Sequence, residues 1–129
     1  MMAAHELRIG SKVLDGELIR TVTGIIQMAA AVQVCLDGEP ESIPLLTLQP
    51  VPLSKELIEA CWFEESEEGF WYEHTTATLY PIYLMVINGN WDFSLTDPRE
   101  VAYWKRIYYM HQLQNLYFAL NNEELEMDL

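Results

Sequence analysis

An α+β fold follows from three features of the sequence. The first stretch, Leu7 to Leu53, is built of short β-branched runs separated by turn dipeptides. The second is dense in aromatic and β-branched residues around an Asn-Gly pair. Two segments carry helical spacing, one opened by Ser54 and one near the chain's end. The expected architecture is an N-terminal SH3-like β-barrel or plain meander, then a helix, an antiparallel aromatic-rich sheet and a C-terminal helix. By composition, residues 1–53 form a β-barrel-like subdomain and 54–129 an α+β subdomain, with one shared core as the alternative.

Taken in order, Leu7, Ile9, Val13 and Leu14 lead into Asp15-Gly16, a hairpin-turn pair. Leu18 to Thr23 is β-branched, and Gly24 marks a bulge or tight bend. A further run spans Ile25 to Leu36. Its alanines suit a helix, but Val32 and Val34 alternate with Gln33 and Cys35, which favours a strand. Asp37-Gly38 offers another turn. Pro44, Pro50 and Pro52 then confine the segment after Ile43 to edge strands or connectors, because proline cannot donate to a ladder.

Ser54 is an N-cap, with Glu56 and Glu59 near the positive end of the helix dipole. Leu57, Ile58, Cys61 and Trp62 give that helix an apolar side, and its expected end is near Phe63. Glu64-Glu65-Ser66-Glu67-Glu68-Gly69 is then expected as a self-repelling, solvated loop. Phe70 to Tyr72, Thr75 to Tyr80, Ile82 to Ile87 and Trp91 to Phe93 read as strands, with Asn88-Gly89 as a hairpin turn. Residues 97–110 conflict. Asp97-Pro98-Arg99-Glu100 has the form of a helix start, yet the row after it alternates as a strand does. A turn at Pro98 and a strand over 101–109 are expected; one helix from Pro98 to Leu120 is the alternative.

The last segment is amphipathic. At 3.6 residues per turn, Leu113, Leu116, Tyr117 and Leu120 share an arc of about 100° and form the expected core face. His111, Gln112, Asn115 and Ala119 lie roughly opposite, and Phe118 falls on that same side. A large apolar ring there needs either a covering layer or a contact role. His111, Asn115 and Phe118 are therefore the candidate interaction residues. Asn121 or Asn122 is expected to adopt the left-handed conformation that stops the helix, ahead of an acidic tail of Glu123, Glu124, Glu126 and Asp128.

The run His111-Gln112-Leu113-Gln114-Asn115-Leu116-Tyr117-Phe118-Ala119-Leu120, followed by Glu123-Glu124-Leu125, resembles the C-terminus of small uncharacterised Bacteroidetes proteins. These proteins often lie among prophage or mobile-element genes. Leu7-Arg8-Ile9-Gly10 and the stretch Leu48 to Ser54 agree with the same group, while the middle of the chain is similar only in kind. The resemblance implies a strand ahead of His111. The chain departs from the group where Asn121-Asn122 replaces Thr-Gly, a change that a helix stop tolerates. The group carries no established activity, so the resemblance implies no catalytic residue.

Composition narrows the function classes. Half of the 129 residues are hydrophobic, enough for a core, which excludes a disordered chain. The net charge of −13, from 20 acidic and 7 basic residues, repels phosphate backbones and anionic membranes. Thr75 to Asn90 is too short and polar to span a bilayer. No secretion signal is visible at the start, and Cys35 and Cys61 form no CxxC, so two buried thiols in a reducing cytoplasm are expected.

Chemistry is sparse. His5, His74 and His111 lack ligand partners at zinc spacing, the serines lack a nucleophile elbow, and no glycine-rich phosphate loop occurs. No catalytic residue, metal or cofactor is therefore expected. The leading expectation is a non-enzymatic protein-interaction or structural accessory protein with a protein partner, derived from a phage or mobile element. The alternatives are an acidic nucleic-acid mimic that inhibits a DNA-binding protein and an enzyme with an unrecognised site. Direct nucleic-acid binding is disfavoured, since Lys105-Arg106 is the adjacent basic pair in an acidic chain.

Overall fold

The computed structural model describes residues 2, 4–67, 69, 71–74, 80–100 and 103–128. The fold is α+β, with two five-stranded antiparallel sheets and a C-terminal helix, and one of the sheets is curled into a half-barrel. The chain divides into two compact units. The first comprises Met1–Pro52 with Tyr109–Asn115, the second Leu53–Tyr108 with Leu116–Leu129.

In the first unit, β1 (Lys12–Asp15), β2 (Leu18–Gln27), β3 (Val32–Leu36), β4 (Ile43–Pro44) and β5 (Gln49–Pro50) lie in the order β4-β3-β2-β1-β5. The two proline-bearing strands are the edges, as the missing N–H requires. Gly16 takes a φ of +65° between Asp15 and Leu18, the left-handed turn expected there. The register shifts between Val22 and Gly24, so Gly24 is a bulge within one continuous strand. A Cβ at Gly24 would meet the Cys35 side chain at 3.4 Å, close to an ordinary contact, so the bulge rather than crowding marks this position.

The run expected from Ile25 to Leu36 is instead broken. Met28 donates to the Ala31 carbonyl at 2.8 Å, so the alanines form the turn of the β2–β3 hairpin. Short side chains make a tight reversal feasible where the sequence reading saw uninterrupted strand. Met2, Leu7, Val13, Val22, Val34, Leu36, Leu45 and Leu48 form this unit's core. Cys35 is half-buried rather than buried, Cys61 is buried, and neither is in a disulfide.

In the second unit, Ser54 caps α1 (Lys55–Ala60) by accepting from the Leu57 N–H at 3.3 Å. The helix is shorter than expected. Cys61 closes it, Trp62 turns the chain at a φ of +69°, and Phe63 enters a strand rather than ending the helix. The buried Phe63 and Cys61 reward that reversal. The strands β6 (Phe63–Glu65), β7 (Tyr72–His74), β8 (Tyr83–Ile87), β9 (Asn90–Ser94) and β10 (Lys105–Ile107) follow in spatial order. Glu64 and Glu65, expected in a loop, are thus ladder residues, and Glu64 faces Glu73. Arg99 offsets that like-charge pairing, lying 3.2 Å from Glu73 and 5.4 Å above the Trp71 ring.

Asn88 and Gly89 both have positive φ, giving the expected type I′ hairpin. The strand ahead of the closing helix exists but is short, and a helix from Pro98 does not form; Val101 and Ala102 lie outside the described residues. So do Phe70 and residues 75–79, where strand was also expected. Ile58, Phe63, Ile82, Leu84, Trp91 and Ile107 are buried here, and Tyr72 packs tilted against Trp91 at 5.7 Å. Among the described residues, no helix is long and apolar enough to cross a membrane.

Candidate functional site

The closing helix, α2 (Met110–Asn121), carries the residues singled out from sequence. Its burial follows a different face from the one expected. Met110, His111, Leu113, Gln114, Tyr117 and Asn121 are buried, while Leu116 and Leu120 are only half-buried. Polar residues enter the interior because side-chain amides there complete main-chain hydrogen bonding.

In the first unit, Gln114 accepts from the Lys12 N–H at 2.8 Å and donates to the Gly10 carbonyl at 2.8 Å. Asn115 accepts from Arg8 Nε at 2.8 Å and donates to the Glu6 carbonyl at 2.7 Å. In the second unit, Asn121 accepts from the Tyr80 N–H at 2.9 Å and donates to the Tyr80 carbonyl at 3.2 Å. Gln114 and Asn121 each bond a main-chain N–H and a main-chain carbonyl, as a neighbouring strand would. Asn122, at a φ of +55°, stops the helix, its N–H donating to the Phe118 carbonyl.

His111 has no exposed surface, and neither ring nitrogen has a hydrogen-bond partner among the described residues. It stacks on Tyr109 at 5.8 Å, and a Glu6 carboxylate oxygen stands 3.7 Å from Nε2. Burial lowers its pKa, with Glu6 acting in the opposite direction. The role of helix-start cap belongs to Gln112, whose Oε1 accepts from the Tyr109 N–H at 3.1 Å. Phe118 lies in the second unit with 37% of its surface exposed. The three candidate residues thus occupy a buried, a bonded and an open position, and do not form one surface patch.

A cavity in the second unit was not legible from sequence. It has a volume of about 380 Å³ and is lined by Trp62, His74, Tyr117, Glu123, Glu124 and Glu126. His74 lies between two rings, 5.0 Å from Phe63 edge-on and 5.1 Å from Tyr117. Burial lowers its pKa, against a hydrogen bond to the Cys61 main chain and the charge of Glu126. Burial raises that of Tyr117, and Glu123 and Glu126 raise it further. The acidic tail is not loose. Leu125 is buried, and the Asp128 N–H donates to the Ala60 carbonyl at 2.9 Å.

Trp62 stands at the helix stop where glycine is usual, in a conformation that costs a bulky residue energy. The sequence signal was the absence of a glycine between α1 and Phe63. Among the described residues, no three His, Cys, Asp or Glu side chains converge as metal ligands.

A second surface feature lies in the first unit. No charged residue occurs from Thr21 to Leu36, and Ile25, Ile26 and Met28 at the end of the β2–β3 hairpin are exposed, as are Gln27 and the three alanines. Successive strand residues point to opposite faces, so Ile26 and Met28 show on the face away from the core to which Val34, the partner of Ile25, belongs.

Comparison with protein-family models, curated proteins and solved structures returned no match.

Proposed function

We propose that this chain is a non-enzymatic protein-interaction or accessory protein that engages a folded protein partner through the end of its β2–β3 hairpin. The observation that carries the reading is the exposure of Ile25, Ile26 and Met28 on an uncharged hairpin of a chain with net charge −13. An apolar hairpin end left in water costs solubility and invites unwanted pairing. A complementary partner surface removes that cost. The partner's contact region is apolar, and its rim is neutral or basic, because the surrounding acids repel an acidic one. The resemblance of both chain ends to prophage and mobile-element proteins is consistent with an accessory role.

The test is photo-crosslinking in the native host from a benzoylphenylalanine placed at Ile26 or Met28, followed by reconstitution with the purified partner. The expected outcome is one recurrent crosslinked protein that binds the wild-type chain in isolation and loses affinity for Ile26→Asp, with thermal melting unchanged. Crosslinks only between copies of this chain, or a partner bound equally by Ile26→Asp, would refute the reading.

A further inference from the structure

We propose that the cavity walled by Trp62, His74, Tyr117 and the tail carboxylates binds an organic ammonium group, independently of the hairpin surface. The acids alone make no site, since carboxylates on a surface are ordinarily just solvated. What distinguishes this place is a cavity that three rings line together with the acids. Tyr117 and His74 are nine-tenths or more buried, and Trp62 brings an indole to the rim. Aromatic faces attract cations through the ring quadrupole, most strongly where water is displaced. Glu123, Glu124 and Glu126 line the same space. The potential inside is therefore negative, which rejects carboxylate and phosphate ligands.

The kind of cation follows from the geometry. A divalent metal needs several ligands converging at short distance, and among the described residues no such group exists. An ammonium with apolar substituents makes the opposite demand: diffuse negative charge around aromatic surface. The volume of about 380 Å³ suits a small ligand of that type.

Two further features make the walls persistent. Leu125 is buried and the Asp128 N–H is bonded to Ala60, so the tail carrying the carboxylates is anchored at these two points. Trp62 is held at a φ of +69°, where glycine would be unstrained. A bulky ring kept at such a position despite its cost is the mark of a side chain retained for what it contacts. Trp62 and Glu126 also border a shallower adjoining hollow with Met127 and Asp128, giving an apolar substituent room to extend.

Heteronuclear NMR of the full chain, titrated with choline, with n-butylammonium and with dimethylbutanol (the uncharged carbon isostere of choline), tests the proposal. Expected are saturable shifts of the Trp62 indole and the His74 and Tyr117 rings with at least one of the cations, and none with dimethylbutanol. Glu126→Gln weakens binding by about threefold to tenfold, and Trp62→Gly, which suits the backbone, abolishes it. If Trp62→Gly does not fold, the exposed pair Glu124→Gln and Glu126→Gln decides. No saturation with either cation, equal response to dimethylbutanol, or wild-type affinity in the carboxylate variants overturns the proposal. A lysine tripeptide that binds more tightly than butylammonium assigns the ammonium to a polypeptide; weaker binding assigns it to a free amine.

Discussion

His111 and His74 are buried almost equally, with 0% and 7% of their surface exposed, yet only His74 borders open space. His111 sits in the first unit without a hydrogen-bond partner among the described residues, on the same helix as Gln114, whose amide bonds main chain through both its oxygen and its nitrogen. His74 has ring neighbours and a main-chain bond, and one side of it faces a cavity edged with carboxylates. The difference teaches that a buried imidazole is not in itself a site. Surroundings that leave room for a ligand, and that carry a charge for it to answer, make the distinction.

The comparison breaks most readily at Gln114. Gln114→Leu leaves the Lys12 N–H and the Gly10 carbonyl without their partner, so a loss of about 2–4 kcal/mol is expected in chemical denaturation. A loss below about 1 kcal/mol would mean that water replaces the amide and that this interior is not closed.

Acid sensitivity sharpens it next. Both histidines have folded-state pKa values below the ordinary 6.5. The unfolded chain therefore takes up protons first, and stability present above pH 6.5 is lost as the pH falls toward the folded values. Each contributes a slope of up to about 1.4 kcal/mol per pH unit in that window. His111→Leu should flatten the acid limb while leaving neutral stability unchanged or higher, since no hydrogen bond is lost. His74→Phe should flatten it but weaken the fold at neutral pH, through loss of the Cys61 bond. Unfolding curves from pH 7.5 to 5 check both, and an unflattened limb in His111→Leu would show that its burial does not govern titration.

Phe118→Ala comes third, with an expected cost of about 1–2 kcal/mol for a ring already partly in water. Thermal melting reads this; an unchanged midpoint together with lost capture of a partner marks Phe118 as an interaction residue. The smallest effect belongs to Trp62→Gly. Relief of the positive-φ strain offsets the lost contacts of a half-exposed indole, so stability should stay within about 1 kcal/mol of wild type. A large destabilisation would recast Trp62 as a core residue and weaken the case for a retained ligand wall.

Much of the fold was legible because local chemistry dictates it. Asn88-Gly89 has the residues that left-handed turn positions demand and forms a turn, while Asp15-Gly16 supplies the left-handed Gly16, with Asp15 itself still in β1. Pro44 and Pro50 had to be edges. Ser54 caps a helix and Asn122 ends one. The misreadings share a cause. The helix from Ser54 was expected to reach Phe63 because apolar spacing continues through Trp62, but a single left-handed residue turned the chain. Ala29 to Ala31 read as part of a run because nothing in their chemistry announces a turn; pairing of Gln27 with Val32 imposes one.

The sequence by itself determined the α+β class, the turns, the proline edges and the acidic, uncharged and aromatic segments, because each rests on interactions within a few residues. Only the tertiary structure decided which face of the closing helix is inside. His111 was expected opposite the core face and Gln114 was assigned to neither face, yet both are buried, and for Gln114 and Asn121 main-chain groups far along the chain make burial favourable. It also decided that the tail glutamates stand around His74 and Tyr117, since that juxtaposition depends on where Leu125 and Asp128 dock. Hydrogen bonds and cavities between distant residues leave no periodic trace in a sequence, and this is why the candidate cavity emerged only from the folded chain.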